Sequence, residues 1–465
     1  MPITSQHPKE PGRSLRLSII EGSFAAVHIT VTGGALVTGY ALMLGANDFH
    51  LGLLSALGAL ATVGSLVSAQ LVGALGSRKR LTIMAATAGR ALWALLCVLP
   101  FAPLLPGARL WLFFLVVFLA NASVNMANNA WISWMTDLVP LERRGWYFGL
   151  RNTILGAVGL AANFGAGKMF DWHKGRGLEP QGFALVFGAA AASAVIAGIL
   201  LTRQWEPALK GERPLPLKDL VTVPFANPDF RRLLWFFVLW SMATSVAGPF
   251  FGAHMIKNLN MPFSVIALYS IIAGILSLSL QPLWGRVIDR AGNRPVLAFN
   301  IMGIFLLPLF WLFATPDFYL PIWIDAFLTG LFWPGFGLAA FNLLLVTAPE
   351  ENRTAYLAVQ SVLTGLAVFA ASLFGGWIAN LLENLIICVF GLTIVNFHLL
   401  FVFSSVCRIL LLPLAFRLKE EKAQSVTSLL NLVGDKVSQR FSERLESGIM
   451  IIRKISRSDK QNGAV

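Results

Sequence analysis

Twelve stretches of about 20 or more mostly apolar residues, joined by polar segments, occupy the chain from residue 19 to residue 416. A helix of about 20 such residues crosses the hydrocarbon core of a bilayer, where every backbone polar group must be satisfied within the protein. Nothing else in the sequence constrains the fold so tightly. The expected spans are 19–43, 50–75, 81–103, 109–136, 147–168, 183–203, 232–256, 264–287, 295–314, 319–347, 355–382 and 386–416. Charged residues are only 13% of the 465 and hydrophobic ones 56%, against about 25% and about 45–50% in soluble domains. That balance excludes a soluble enzyme or scaffold, and it equally excludes a disordered chain. The expected fold class is an all-α polytopic membrane protein.

Most loops are short, so consecutive spans run antiparallel. One connection is long: residues 204–231 carry Pro207, Pro214, Pro216, Pro224 and Pro228 and divide the spans six and six. The expected organisation is an N-terminal tail (1–18), a first six-helix bundle (19–203), a linker (204–231), a second bundle (232–416) and a basic tail (417–465). The net charge of +13 raises nucleic acid as a partner only until the basic residues are placed. If both termini are cytoplasmic, 29 Lys and Arg fall on that side and five on the other, with Arg90 and Arg408 inside spans. Such a bias sets membrane orientation, and no nucleic-acid partner is implied. The polar start of the chain reads as a cytoplasmic tail and not as a removable signal peptide. Cys97, Cys388 and Cys407 lie in apolar stretches with no paired spacing, which suggests neither disulfides nor a metal site.

The two halves also match in sequence. Pro140, Arg144, Tyr147 and Gly156 follow span 4, and Pro349, Arg353, Tyr356 and Gly365 follow span 10, all at one offset of 209 residues; Arg151 is matched by Gln360. Duplicated helical units are how many transporters place a site at the midplane between repeats. The loop between spans 8 and 9 reads Gly285-Arg-Val-Ile-Asp289-Arg290-Ala-Gly292-Asn-Arg294. It resembles the G-x-x-x-D-R-x-G-x-R loop of the major facilitator superfamily, which recurs between spans 2 and 3. The copy there, Gly73-Ala-Leu-Gly-Ser77-Arg78-Lys79-Arg80, is degenerate: Ser77 is read at the acid's place and the second glycine is read as missing. The resemblance covers residues 19–416 and implies two pseudo-symmetric six-helix bundles. Gly73, Arg78, Gly285, Asp289, Arg290, Gly292, Arg294, Arg144, Arg151 and Arg353 then become gating-motif residues. No arginine lies in the interior of span 4 and no proline within span 5, which departs from the pattern of the superfamily's proton-coupled drug exporters.

Polar groups inside a span mark a packing bond or a pathway. The resemblance implies a cavity lined mainly by spans 1, 4, 7 and 10. These offer His28 and Thr32, then Asn121, Asn125, Asn128 and Asn129, then Trp240 and Thr244, and finally Asp325, Thr329 and Trp333. Each of these also has an ordinary role in helix packing. Asp325 is the candidate for coupling to a proton or cation, since an acid in a span costs about 2.5–3.5 kcal/mol on insertion scales. Arg90 is read first as structural, bonding the span-4 asparagines or backbone carbonyls, with anion binding as the alternative; Glu21 is placed too near the end of span 1 to reach it. No P-loop, HExxH or G-x-S-x-G motif is present, so no enzymatic activity, cofactor or metal is expected. Val426, Leu430, Val433, Val437, Phe441, Leu445, Ile449, Ile452 and Ile455 recur at helical spacing among basic residues. An amphipathic helix on the inner leaflet is expected there, with a partner-binding helix as the alternative.

The expected function is a secondary active transporter, monomeric, in a bacterial inner membrane, moving a small solute by alternating access. A non-transporting membrane receptor or assembly factor of the same fold is the competing class.

Overall fold

The computed structural model describes residues 10–140, 143–207, 217–349, 353–389 and 392–420. In the first half of the chain lie α1 (Glu10–Val31), α2 (Gly34–Met43), α3 (Asp48–Leu60), α4 (Gly64–Leu75), α5 (Arg78–Val98), α6 (Pro106–Leu138), α7 (Arg144–Lys174) and α8 (Glu179–Thr202). After α9 (Leu217–Ala226) the second half has α10 (Pro228–Ser245), α11 (Gly248–Lys257), α12 (Phe263–Ala291), α13 (Asn293–Ile304), α14 (Leu307–Phe310), α15 (Leu320–Thr347) and α16 (Arg353–Leu381). A hairpin, β1 (Ile386–Val389) and β2 (Leu392–Val395), then leads to α17 (Asn396–Leu410) and α18 (Leu412–Phe416).

Among the described residues, nine helical stretches are long and apolar enough to cross a membrane, and the bent pair α1–α2 makes a tenth. This is a polytopic helical membrane protein. The two expected spans outside these ten are both helical. A 3-10 turn at Ala61–Val63 divides α3 from α4, while α7 has 31 residues but is diluted by Arg151, Lys168 and Asp171. The α1–α2 bend of 41° falls at Gly34, whose φ of +56° only glycine adopts without steric cost. Large apolar side chains such as Met84, Leu95, Leu115 and Val195 are exposed, as on a surface bathed in lipid.

Three expected boundaries are corrected. Helix α1 begins at Glu10, so half of the expected N-terminal tail is helix. Ser14 and Ser18 are buried, and the Ser14 hydroxyl accepts a hydrogen bond from the Trp205 amide at 2.9 Å. The linker contains α9, and its last residues open α10. The apolar run expected to start the last span is instead the antiparallel hairpin, with Ile386 opposite Val395 and Cys388 opposite Thr393. Ile386, Ile387, Val389, Ile394 and Val395 are β-branched, and such residues favour strands; apolarity alone cannot tell a strand from a helix. The amphipathic tail expected after residue 420 lies outside the described residues.

Within each half the helices pack on one another, α1 against α7 and α8 and α5 against α6 and α8; likewise α12 and α13 pack on α15 and α10 on α16. The main crossings between the halves are α3 with α16 and α7 with α12, with α11 also meeting α2 and α3. The two main crossings are equivalent under the repeat. Gly156 on α7 faces Leu278 of α12, and its counterpart Gly365 on α16 faces Thr62 beside α3.

Candidate functional site

The two motif loops mark one end of the bundle. In each, a glycine with positive φ, Gly76 (+64°) or Gly292 (+94°), stands at the start of the next helix. A carboxylate from beyond the sixth span of that half closes over the helix N-terminus. Glu206 accepts from the Lys79 amide (3.0 Å) and the Ser77 hydroxyl (2.7 Å). Glu420 accepts from the Asn293 amide (2.9 Å), the Asn293 side chain (2.7 Å) and the Arg294 amide (2.7 Å). Free amides at a helix N-terminus attract an anion. The degenerate reading of the first loop is therefore corrected: it has its glycine, Gly76, and Ser77 follows that glycine as the cap of α5. Asp289, by contrast, precedes Gly292. It is exposed and lines a cavity of about 410 Å³ with Arg290, Gly292, Asn293 and Glu420.

Other motif residues brace this end. Arg78 is buried and pairs with Asp137 at 2.5 Å. Arg144 donates to the Val139 and Thr136 carbonyls at the end of α6. Tyr147 donates to the Leu15 carbonyl at 3.1 Å, and its counterpart Tyr356 packs edge-on against Phe230, ring centres 4.6 Å apart. Each tyrosine fixes the start of its half's first helix. Gly73 lies on α4 and Gly285 on α12, while Arg353 begins α16.

The polar bonds joining the halves among the described residues gather at the opposite end. Asp48, 1% exposed, pairs with Lys257 at 2.5 Å and accepts from the Asn396 amide at 2.7 Å. Asp171 caps α12 across the seam, accepting from the Phe263 and Ser264 amides at 2.8 Å each. Ser55 meets Ser372 at 3.1 Å. Backbones approach closely there: a Cβ on Gly167 would meet the Ser264 nitrogen at 2.8 Å, and one on Gly52 would lie 2.7 Å from the Cα of Gly376. Small residues permit this approach, which drives helix association in lipid.

Two cavities lie between the ends. The second-half cavity, about 480 Å³, is lined by Thr244, Tyr269, Asp325, Thr329, Trp333 and Arg408, and also by Ala35 and Ser55 of the first half. Asp325 is 2% exposed; its Oδ2 accepts from the Tyr269 hydroxyl at 2.7 Å and its Oδ1 is buried without a partner. Arg408 donates to the Ile304 carbonyl at 3.1 Å. Trp240 stands outside the cavity lining, stacked on Phe336 with ring centres 4.6 Å apart.

The first-half cavity, about 470 Å³, is lined by Glu21, Thr30, Arg90, Asn125, Asn128, Trp131 and Arg151 among others. Arg90 reaches Glu21 at 3.5 Å and Arg151 reaches it at 4.0 Å. This corrects the expectation that Glu21 cannot meet Arg90. Because α1 starts at Glu10, Glu21 is about 17 Å into its helix and Arg90 about 18 Å into α5, at 1.5 Å per residue. His28 and Thr32 are outside this lining: His28 is 1% exposed and bonds the Ala190 carbonyl at 3.2 Å, and Thr32 donates to the His28 carbonyl. The Asn121 carbonyl accepts from Asn125, and Asn129 donates to the Ser65 carbonyl, both at 2.9 Å.

The sequence pattern missed Glu206, Glu420, Asp48, Asp171, Tyr269, Trp131 and the part played by Glu21. A charge near a span end reads as an interfacial residue until a second element is placed against it. Arg408, within an apolar run, did carry an intramembrane-charge signal.

Residues 233–452 match the family model described as Major Facilitator Superfamily. A class E tetracycline resistance protein of Escherichia coli is 30% identical over 117 residues; the match takes in 25% of this chain and 27% of that protein. Among solved structures, the nucleoside transporter NupG superposes with a TM-score of 0.64 at 14% identity, over 88% of this chain and 99% of that one. The D-xylose-proton symporter gives 0.63 at 15% identity, over 88% and 98%. A bacterial homologue of the iron transporter ferroportin, in an inward-facing state, gives 0.63 at 15% identity, over 87% and 98%. At these identities the likeness speaks for the fold, and the family model speaks for the second half of the sequence. With the repeat, the motif loops and the paired crossings in agreement with both, the second half of the chain matches the major facilitator superfamily in sequence, and the chain as a whole shares the fold of these solved structures.

Proposed function

We propose that this protein is a secondary transporter that moves a small solute by alternating access, here in its inward-facing state. The observation that carries this reading is the one-sided seam. The bonds from Asp48, Asp171 and Ser55 hold the halves together at one end, while the motif loops at the other end are each bonded within their own half. The basic-residue bias supports a cytoplasmic motif end. Two bundles that rock about paired crossings expose a site between them to each side in turn. Asp325, buried with a free Oδ1, is the proposed coupling carboxylate.

Counterflow of labelled solutes in proteoliposomes, screened by chemical class, tests the reading. A transporter exchanges its solute across the membrane. A chain that binds the solute without exchanging it is a receptor, and the proposal fails.

A further inference from the structure

The first-half cavity holds one carboxylate against two guanidinium groups. The side chains of Glu21, Arg90 and Arg151 are 4%, 10% and 10% exposed, so the cluster keeps one net positive charge away from solvent. Burial of an uncompensated charge is costly. Among the described residues, the buried unpartnered polar atoms that line this cavity are all donors: Nε and Nη1 of Arg90, Nε of Arg151 and Nε1 of Trp131. The Arg151 guanidinium lies 4.2 Å from the centre of the Trp131 ring, which fixes the direction of its fork. The rest of the wall is apolar, with Ala25, Ala26, Ile29, Val124 and Leu155. A Cβ built on Gly156 in the same lining would lie 3.7 Å from the Leu278 side chain of the second half, so the cavity reaches the seam.

We propose that this cavity binds an organic monoanion. A carboxylate head accepts from Arg90, Arg151 and Trp131, and a small apolar body lies against the aliphatic wall. Glu21 positions both arginines and sets the valence, because the cluster has one positive charge to neutralise. A phosphate monoester, at about −1.5 to −2, exceeds that charge. That the bound anion is also the transported solute rests on the reading above; the binding does not.

The test uses the full chain in detergent, following thermal unfolding with benzoate, hexanoate, benzamide, succinate, inorganic phosphate and chloride. Benzoate and hexanoate are expected to raise Tm saturably, and neutral benzamide is not. Arg151→Gln and Arg90→Gln are each expected to weaken benzoate binding by about tenfold or more, the loss of a charge-assisted bond. Should Arg90→Gln fail to fold, Arg90→Lys keeps the charge but not the planar fork and is expected to bind more weakly than the native chain. Glu21→Gln, which leaves two cations, is expected to shift preference toward succinate. Equal shifts with benzamide, or native benzoate affinity in Arg151→Gln, would overturn the proposal. Stabilisation by chloride or phosphate alone overturns it too, in favour of an inorganic-anion site. Benzoate that binds without counterflow removes the transport reading and keeps the site. Counterflow of an uncharged solute with no anion-induced shift does the reverse.

Discussion

At the scale of single residues, buried charges concentrate this protein's chemistry, and their geometry separates bracing from function. Arg78 and Asp48, both buried, are each met by an opposite charge at 2.5 Å, as a brace requires. Asp325 has one neutral donor, Tyr269, and a free oxygen beside a cavity. Leaving a buried acceptor unsatisfied costs about 1–3 kcal/mol, a cost that a proton site recovers when the proton arrives. Asp325→Asn is therefore expected to reduce gradient-driven accumulation of the solute to its passive level while leaving exchange close to native. Accumulation that persists in proteoliposomes carrying the variant assigns Asp325 to packing. The spacing of Asp325, Thr329 and Trp333 was readable from the sequence because one helix carries all three. The Glu21 cluster was not, because it draws on α1, α5 and α7, and a one-dimensional pattern holds no distance between helices.

Individual elements owe their ends to carboxylates from distant segments. Glu420 closes α13, so the packed core extends at least to that residue. A chain ending at Glu420 is expected to keep the native Tm, whereas Glu420→Gln is expected to cost about 1–2 kcal/mol through the lost cap and charge. Thermal unfolding of the two side by side decides it; a Tm drop on removing residues 421–465 alone would make the tail part of the core. The crossing of α3 with α16 makes a second demand. A methyl group on Gly52 would lie 2.7 Å from the Cα of Gly376, where backbone and not a flexible side chain must give way. Gly52→Ala is expected to loosen that end and to speed labelling of Ala35→Cys by an impermeant maleimide several-fold, in a chain freed of Cys97, Cys388 and Cys407. Unchanged labelling would show that the seam closes without close backbone contact. Gly156 and Gly365 were visible as repeat partners from their shared offset. That each faces the other half needed the packed helices.

For the molecule as a whole, transport by this fold requires the motif end to close when the opposite end opens. Asp289 is exposed, as fits a group proposed to dock at the start of α7 when the motif end closes. An anion docked at a helix N-terminus gains about 0.3–1 kcal/mol, and up to about 2 when partly buried, a shift of about 2- to 30-fold in the balance of states. Asp289→Asn is thus expected to slow transport by a factor in that range and to raise cysteine labelling from the cytoplasmic side. Ser77→Ala, which removes a cap from α5, is expected to lower Tm with less effect on rate. Native rates and labelling in Asp289→Asn would refute the latch. The sequence by itself determined the environment: apolar runs of spanning length leave the backbone no alternative to helix in lipid, and the excess of basic residues on one side gives the expected orientation. Repeated glycines, prolines and tyrosines carried the duplication. Tertiary structure alone decided at which end the polar bonds between the halves gather, which carboxylate meets which cation, and that residues 386–389 and 392–395 pair as antiparallel strands. Those outcomes depend on distances between elements far apart in the chain, and in lipid they are settled by close packing and hydrogen bonds, which hydropathy does not encode.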